Sequence, residues 1–324
     1  MKRRVFVAAL AAIGFVGTAG LFVGSARAEL DRLTLMAPAA PGGGWDSTAR
    51  QMQSALVKAR IVKNVQVVNV TGAGGTVGLA GLVNNSKGDG NQLMVMGLVM
   101  TGAVLTNHSP VTLAQVTPIA RLTGEYEMIV VPANSPIKDM KGLVAALKKD
   151  VGAVSWGGGS AGGTDHILAG LIAKAAGVDP AKVNYIAHSG GGEAMANILG
   201  GKVTVGVSGV SEFASQIKAK RLRGLAVSSA KRIDGVDVPT LKESGLDVEL
   251  SNWRGVVAAP GLSDAQRKDL LAVVDKLAKS KEWKEILKKQ DWTDLYMAGD
   301  EYAKYLKEQD ATVSATLKSI GLVK

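Results

Sequence analysis

"AVSWGGGSAGGTDHILAGLIAKAAG", residues 153–177, compresses the logic of the whole chain into one stretch. Its opening run, AVSWG at 153–157, predicts a short buried strand. Ile167, Leu168, Leu171, Ile172 and Ala175 then recur at three- and four-residue steps, which predicts a helix with Gly177 as its C-terminal cap. Between strand and helix lies a turn built almost entirely of glycine. Strand, glycine turn, helix is the repeating unit of a parallel α/β sheet.

The same unit recurs outward in both directions. PGGGWD at 41–46 follows the apolar run at 33–38 and precedes Trp45, Ala49, Met52, Leu56 and Ala59 at helical spacing. HSGGGEA at 188–194 follows the run at 183–188. TGAGGTVG at 71–78 follows the run at 65–70, although the helix after it is less clear. Further strands are predicted at 92–97, 128–132, 203–209 and 222–229. The stretch at 93–105 reads as a buried strand plus a turn. Ser263 and Gln266 form a capping box ahead of Leu270, Leu271, Val274 and Leu277, and Asp300 is placed to cap a last helix through Tyr305, Leu306, Val313 and Leu317. The expected class is therefore α/β with mostly parallel sheets. No low-complexity linker divides the chain, so any crossing between lobes would run through short strands.

Composition narrows the functions. Lys2, Arg3 and Arg4 precede an apolar stretch over 5–24, and Ala26-Arg27-Ala28 is an A-x-A cleavage signal, so residues 1–28 read as a signal peptide and the mature chain as a periplasmic one. With no cysteine, a lipid-anchored form is excluded. Loss of the leader's four basic residues lowers the formal charge from +10 to +6. That excess is spread along helix faces, and only 4% of residues are aromatic, which argues against a nucleic-acid surface. His108, His166 and His188 lack metal-ligand spacing, and no metal or cofactor is expected.

Glycines let the backbone turn with positive φ and expose its amides, and the first N–H groups of the following helix have no partner inside it. Such junctions hold anions. Ser160, Thr164 and Ser189 add hydroxyl donors. Gly72 and Gly74 fit the dinucleotide fingerprint but its third glycine would fall at Val77, and no Gly-Lys-Ser/Thr occurs, so a nucleotide is disfavoured. A small organic acid fits better. Gly158-Gly159-Ser160-Ala161-Gly162 also satisfies G-x-S-x-G, the nucleophile elbow of serine esterases. Asp165 and His166 lie too close beyond Ser160 to reach back as an oriented acid–base pair, which leaves the esterase as the alternative reading and binding without catalysis as the first.

These stretches, with VVNVTGAGGTVGLAGL, SGGGEAMANILGGKV, LRGLAVSSAKR, VPTLKESG and NWRGVVAAP, resemble the substrate-binding receptors of tripartite tricarboxylate transporters, the Bug family, over essentially the whole mature chain. Trp45 and the HSGGGEA loop favour its tricarboxylate-type branch. The resemblance implies a two-lobed, type II-like periplasmic binding protein with a cleft between the lobes. One lobe would span 29–128 plus 253–324 and the other 129–252. It further implies a carboxylate ligand such as citrate or a related tri- or dicarboxylate, held by loop amides, hydroxyls and water, and delivered to a large and a small membrane subunit. Matched by position, the ligand site would comprise Gly43, Gly44, Trp45, Asp46, Gly75, Thr76 and Thr101 from one lobe. Ser160, Gly163, Thr164, Gly190 and Gly191 would come from the other. Asp46 is expected to serve either the first helical turn or a ligand hydroxyl, and Arg254 either to steer an anion or to pair with a carboxylate inside the returning strand.

Overall fold

The computed structural model describes residues 30–189 and 191–323. The expected signal peptide and its cleavage site, and Gly190 of the fourth glycine loop, lie outside the described residues. Strand β1 (Arg32–Ala37) leads through the first glycine loop into helix α1 (Gly44–Lys58), β2 (Asn64–Asn69) through the second into α2 (Thr76–Asn85), and β3 (Gln92–Gly97) directly into α3 (Leu98–Thr106). The long strand β4 (Thr117–Pro132) is followed by α4 (Met140–Lys149), β5 (Ser155–Gly158), α5 (Thr164–Ala175), β6 (Asn184–Ala187), α6 (Gly191–Leu199), β7 (Val205–Gly209), α7 (Val210–Lys218) and β8 (Leu222–Val227). The chain returns through β9 (Ser251–Ala258) to α8 (Asp264–Lys279), α9 (Lys281–Lys289), β10 (Thr293–Ala298) and α10 (Gly299–Ser319). Among the described residues no helix is long and apolar enough to cross a membrane.

Strand β4 organises the molecule. Its first part pairs antiparallel with β9, Thr117 opposite Ala258 through Tyr126 opposite Ser251, and also with β10. From Glu127 onward its partners change to β7 and β8. On one side of this change lie β1, β2 and β3, mutually parallel; on the other lie β5, β6 and β7, also parallel. The sheets are thus mixed rather than mostly parallel. Parallel pairing is confined to the strand–helix units, and the strands that cross between halves run antiparallel. Ser228 laces the crossing together: its Oγ donates to Leu250 O at 2.6 Å and accepts from Glu127 N at 2.9 Å. The link is two hydrogen-bonded strands, as a chain without a soft linker requires.

Burial follows strand periodicity. Ile129 and Val131 of β4 pack with Leu143, Leu147, Leu168 and Ile172, whereas Met128 and Val130 pack on the other side with Ile198 and Phe213. With both faces covered, the segment reads as a continuous apolar run. A larger core joins Leu35, Met52, Leu56, Leu93, Val256, Leu277 and Trp283 in the other half. Ile320, just past α10, belongs to that core yet packs against α5: a methyl group at Gly170 would lie 2.8 Å from its Cδ1.

Three local expectations change. The stretch at 93–105 is a strand followed by helix α3, not by a turn; Leu98, Met100, Thr101, Gly102, Ala103 and Val104 are all buried, so no polar face advertised the helix. Asp300 does not cap α10, which starts after Ala298; its carboxylate is drawn outward to Arg267 at 2.8 Å. The leading part of β4 and strand β10 carry mixed polar residues and irregular registers, which hid them from periodicity. The capping box at Ser263 and Gln266 forms as expected.

Candidate functional site

Besides α3, whose N-cap Gly97 does not line the site, four helices, α1, α2, α5 and α7, begin at glycine N-caps: Gly43, Gly75, Gly163 and Gly209. None of the four has a side-chain cap. By contrast α4, α8 and α9, which face elsewhere, are capped by Asp139, Ser263 and Ser280. A missing cap leaves the first N–H groups of a helix available to something outside the chain. All four glycines line one cavity of about 160 Å³. That is the scale of the engineered hydrophobic cavity of about 150 Å³ that takes one benzene.

Glycine is needed here for room as well as for turning. Gly75 has φ +90°, and a methyl group on it would sit 2.6 Å from the Trp45 ring. One at Gly44 would collide with the Arg254 guanidinium, and one at Gly191 with the Glu212 carboxylate. Beside the cavity the two halves touch: a methyl group at Gly163 would meet Val99 of α3 at 3.1 Å, and one at Gly74 would meet Ser160 Cβ at 3.5 Å.

The structure brings Gly43, Gly44, Trp45, Gly75, Ser160, Gly163, Thr164 and Gly191 to the cavity wall. Asp46, Thr76 and Thr101 do not line it. Asp46 accepts from Gly42 N at 2.9 Å, Asn69 Nδ2 at 2.9 Å and Arg50 Nε, bracing the first loop from behind. These hydrogen bonds outweigh burial and hold its pKa below the usual carboxylate range. Thr76 donates to Ala73 O, and Thr101 is buried within α3 near Gly97 O. Of the three hydroxyls expected to face a guest, Thr164 donates to Asn252 Oδ1 and Ser189 to Glu193 Oε2. Ser160 alone keeps its hydroxyl without a partner among the described residues.

Arg254, which the sequence singled out, lines the cavity, and so do three acids not expected to face a guest: Glu127, Asp165 and Glu212. Glu127 is fully buried on β4, and neither carboxylate oxygen completes a hydrogen bond. Burial raises its pKa well above the carboxylate range, Asp165 and Glu212 add to the rise, and the Asn252 side chain, within hydrogen-bonding reach, opposes it. Burial likewise lifts Asp165 to about 7, against the Gly159 N–H that donates to its Oδ2 at 2.6 Å. Glu212, bonded by Ser208 Oγ at 2.8 Å, is also raised by burial. A signal for Glu127 was present: an acid immediately before the apolar strand expected at 128–132.

Arg254 pairs with Glu125 beneath the wall; the carboxylate expected for it is thus on the neighbouring strand β4 and not inside the returning strand. Ser211 Oγ holds the second Glu125 oxygen at 2.9 Å, and the Arg254 guanidinium lies 5.4 Å from the Trp292 ring centre. Burial lowers Arg254 to about 10, so it stays charged at neutral pH.

A serine-hydrolase site is not assembled. His166 Nδ1 accepts from Gly162 N at 3.1 Å, its ring stacks on Tyr185 at 4.1 Å, and burial lowers it to about 4. His188 is held by Gly158 O at Nδ1 and by Asn197 at Nε2. Asp165 faces the Gly159 amide rather than either imidazole. Glu193 caps its own helix end through Ser189 N at 3.0 Å. Among the described residues, no three His, Cys, Asp or Glu side chains form a metal-binding group.

Comparison with known proteins agrees with this architecture. A family model described as "Tripartite tricarboxylate transporter family receptor" matches residues 48–322. A UPF0065 protein from the TAR-I ttuE-ttuC' intergenic region of Agrobacterium vitis is 31% identical over 230 residues, 70% of this chain and 65% of that relative. The solved periplasmic binding protein BugD has a TM-score of 0.80 at 23% identity, with 90% of this chain and 98% of that one covered. R. palustris Rpa4515 with adipate has a TM-score of 0.81 at 18% identity, with 90% and 97% covered. At these identities the solved structures establish the fold, that of a two-lobed α/β periplasmic binding protein.

Proposed function

The chain belongs to the tripartite tricarboxylate transporter receptor family, and from that premise we propose that it is a periplasmic receptor that encloses a small carboxylate and passes it to the large and small membrane subunits of a transporter. Its lobes are 29–128 with 253–324, and 129–252. The change of β4 partners at Glu127 and the end of β9 pairing at Ser251 support crossings within two residues of those limits. The observation that carries the reading is the convergence of uncapped helix starts from both lobes on one cavity. Amides in that arrangement offer an oxyanion several donors at no reorganisation cost.

Each lobe supplies part of the wall, so a guest is fully contacted only when the lobes are together, and binding draws the population toward the closed form. The cavity volume is of the scale that takes a guest of about six carbons, such as a small di- or tricarboxylate. Adipate in Rpa4515 is a guest of that size. The role is binding, not turnover.

A thermal-shift screen of two- to six-carbon mono-, di- and tricarboxylates, followed by calorimetry on the hits, tests this. At least one small carboxylate should raise the melting temperature and bind with one-to-one stoichiometry. If none binds, or if p-nitrophenyl esters are hydrolysed at a rate that Ser160→Ala abolishes, the receptor reading gives way to the esterase.

A further inference from the structure

We propose that the solute carries a protonated amine as well as a carboxylate, the amine lodging against Glu127 at the crossing and Asp165 and Glu212 of the second lobe, and the carboxylate on the first lobe's helix starts beside Arg254. The inference rests on the receptor reading above and deepens it to a substrate class, the amino acids.

The charges of the cavity are divided between its two sides. The three carboxylates that line it come from β4 at the crossing and from α5 and α7 of the second lobe. On the opposite wall are Gly43, Gly44, Gly75, Trp45 and Arg254. Glu125 is paired with Arg254, and Asp46 behind the first loop is turned to Arg50 and Asn69. The helix starts divide in the same way. Asp165 and Glu212 lie in the first turns of α5 and α7 and offset the positive ends of their own helices. Helix α2 has no acid in its first turn, and that of α1 is paired with Arg50. The positive ends still open to an anion are therefore those of the first lobe.

Glu127 decides between an amine and a second carboxylate. It is 0% exposed and lines the cavity, and neither oxygen completes a hydrogen bond, the Asn252 side chain being within reach. Burying a carboxyl with its hydrogen bonds incomplete is costly. Protonation would turn one oxygen into a donor and leave the acceptors of the two oxygens only the Asn252 amide to accept from. A guest carboxylate would bring only further acceptors. An ammonium brings three donors and a charge, matching the spare acceptors of three clustered acids. Tyr185, whose hydroxyl donates to Gly159 O, is occupied and supplies no competing donor.

The test is calorimetry at pH 7.5 on the full mature receptor with matched probes. Straight-chain and α-amino acids of two to six carbons would each be measured beside the acid lacking the amine, the corresponding dicarboxylate and the alkylamine lacking the carboxylate. The best amino acid should bind at least about tenfold tighter than its three counterparts, the equivalent of one charge-assisted hydrogen bond. Glu127→Gln, and separately the half-buried Glu212→Gln, should shrink that ratio, weakening the amino acid more than the plain acid. Dicarboxylates that bind as tightly as the amino acids overturn this inference and leave the receptor reading standing. Alkylamines that match the amino acids overturn the carboxylate half of both. A ratio unchanged in both variants removes the acids from the site.

Discussion

Arg254→Met tests the pair that underlies the cavity. Arg254 and Glu125 are each 3% exposed, and Glu125 would be left with the Ser211 hydroxyl as its remaining side-chain partner. Breaking a buried pair by removing one member costs about 3–5 kcal/mol, because the remaining charge stays desolvated. For a chain of this size that is a melting-temperature loss of roughly 6–20 °C. The pH dependence follows from the same cause. Glu125 stranded without Arg254 prefers its neutral form, so its folded-state pKa rises above the unfolded value. The folded variant then holds a proton that the unfolded chain releases, and the deficit relative to wild type is smaller at pH 5 than at pH 8. Glu125→Gln in the Arg254→Met background removes the stranded charge and should recover a substantial part of the loss. Calorimetric melting of the wild type, both single variants and the double variant at the two pH values measures all of this. If the single-variant losses simply add in the double variant, and the deficit is the same at both pH values, the two side chains are not a coupled buried pair and the reasoning fails.

The ligand-free receptor should lose stability as pH rises from about 4 to about 7, since Asp165 moves from 3.8 in the unfolded chain to about 7 in the fold and Glu127 and Glu212 move the same way. The groups facing this cluster are Tyr185 on β6, the Gly159 amide, Ser208 on β7 and Asn252 on β9. Asp165→Asn should flatten the melting curve over that window; an unchanged slope would count against the buried cluster. Gly75→Ala places a methyl group 2.6 Å from the Trp45 ring at φ +90° and carries a left-handed penalty of about 1–2 kcal/mol, so affinity for any guest should fall while the circular dichroism stays native. Trp45 is the one tryptophan lining the cavity, the other four being buried elsewhere, so a guest should alter the intrinsic fluorescence and Trp45→Phe should abolish that change.

Much of the site was legible because its parts are local. Gly43, Gly44, Gly75, Gly163 and Gly191 stand at strand–helix junctions, and a junction is written in consecutive residues: an apolar run, a break, an amphipathic run. The same holds for the Ser263 capping box. Helix α3 was missed for a reason of equal simplicity, since a helix buried on all sides loses the polar face that marks its period.

The sequence by itself determined the α/β order, the glycine starts of the helices and the continuous apolar strand at the centre, because each depends on neighbours within a few residues. Only the tertiary structure decided which charges meet. Arg254 and Glu125 are 129 residues apart, and Glu127 shares a wall with Asp165 and Glu212 because β4 changes partners at that point in the sheet. Electrostatic pairing is a matter of distance in space, and no periodicity along a chain encodes it.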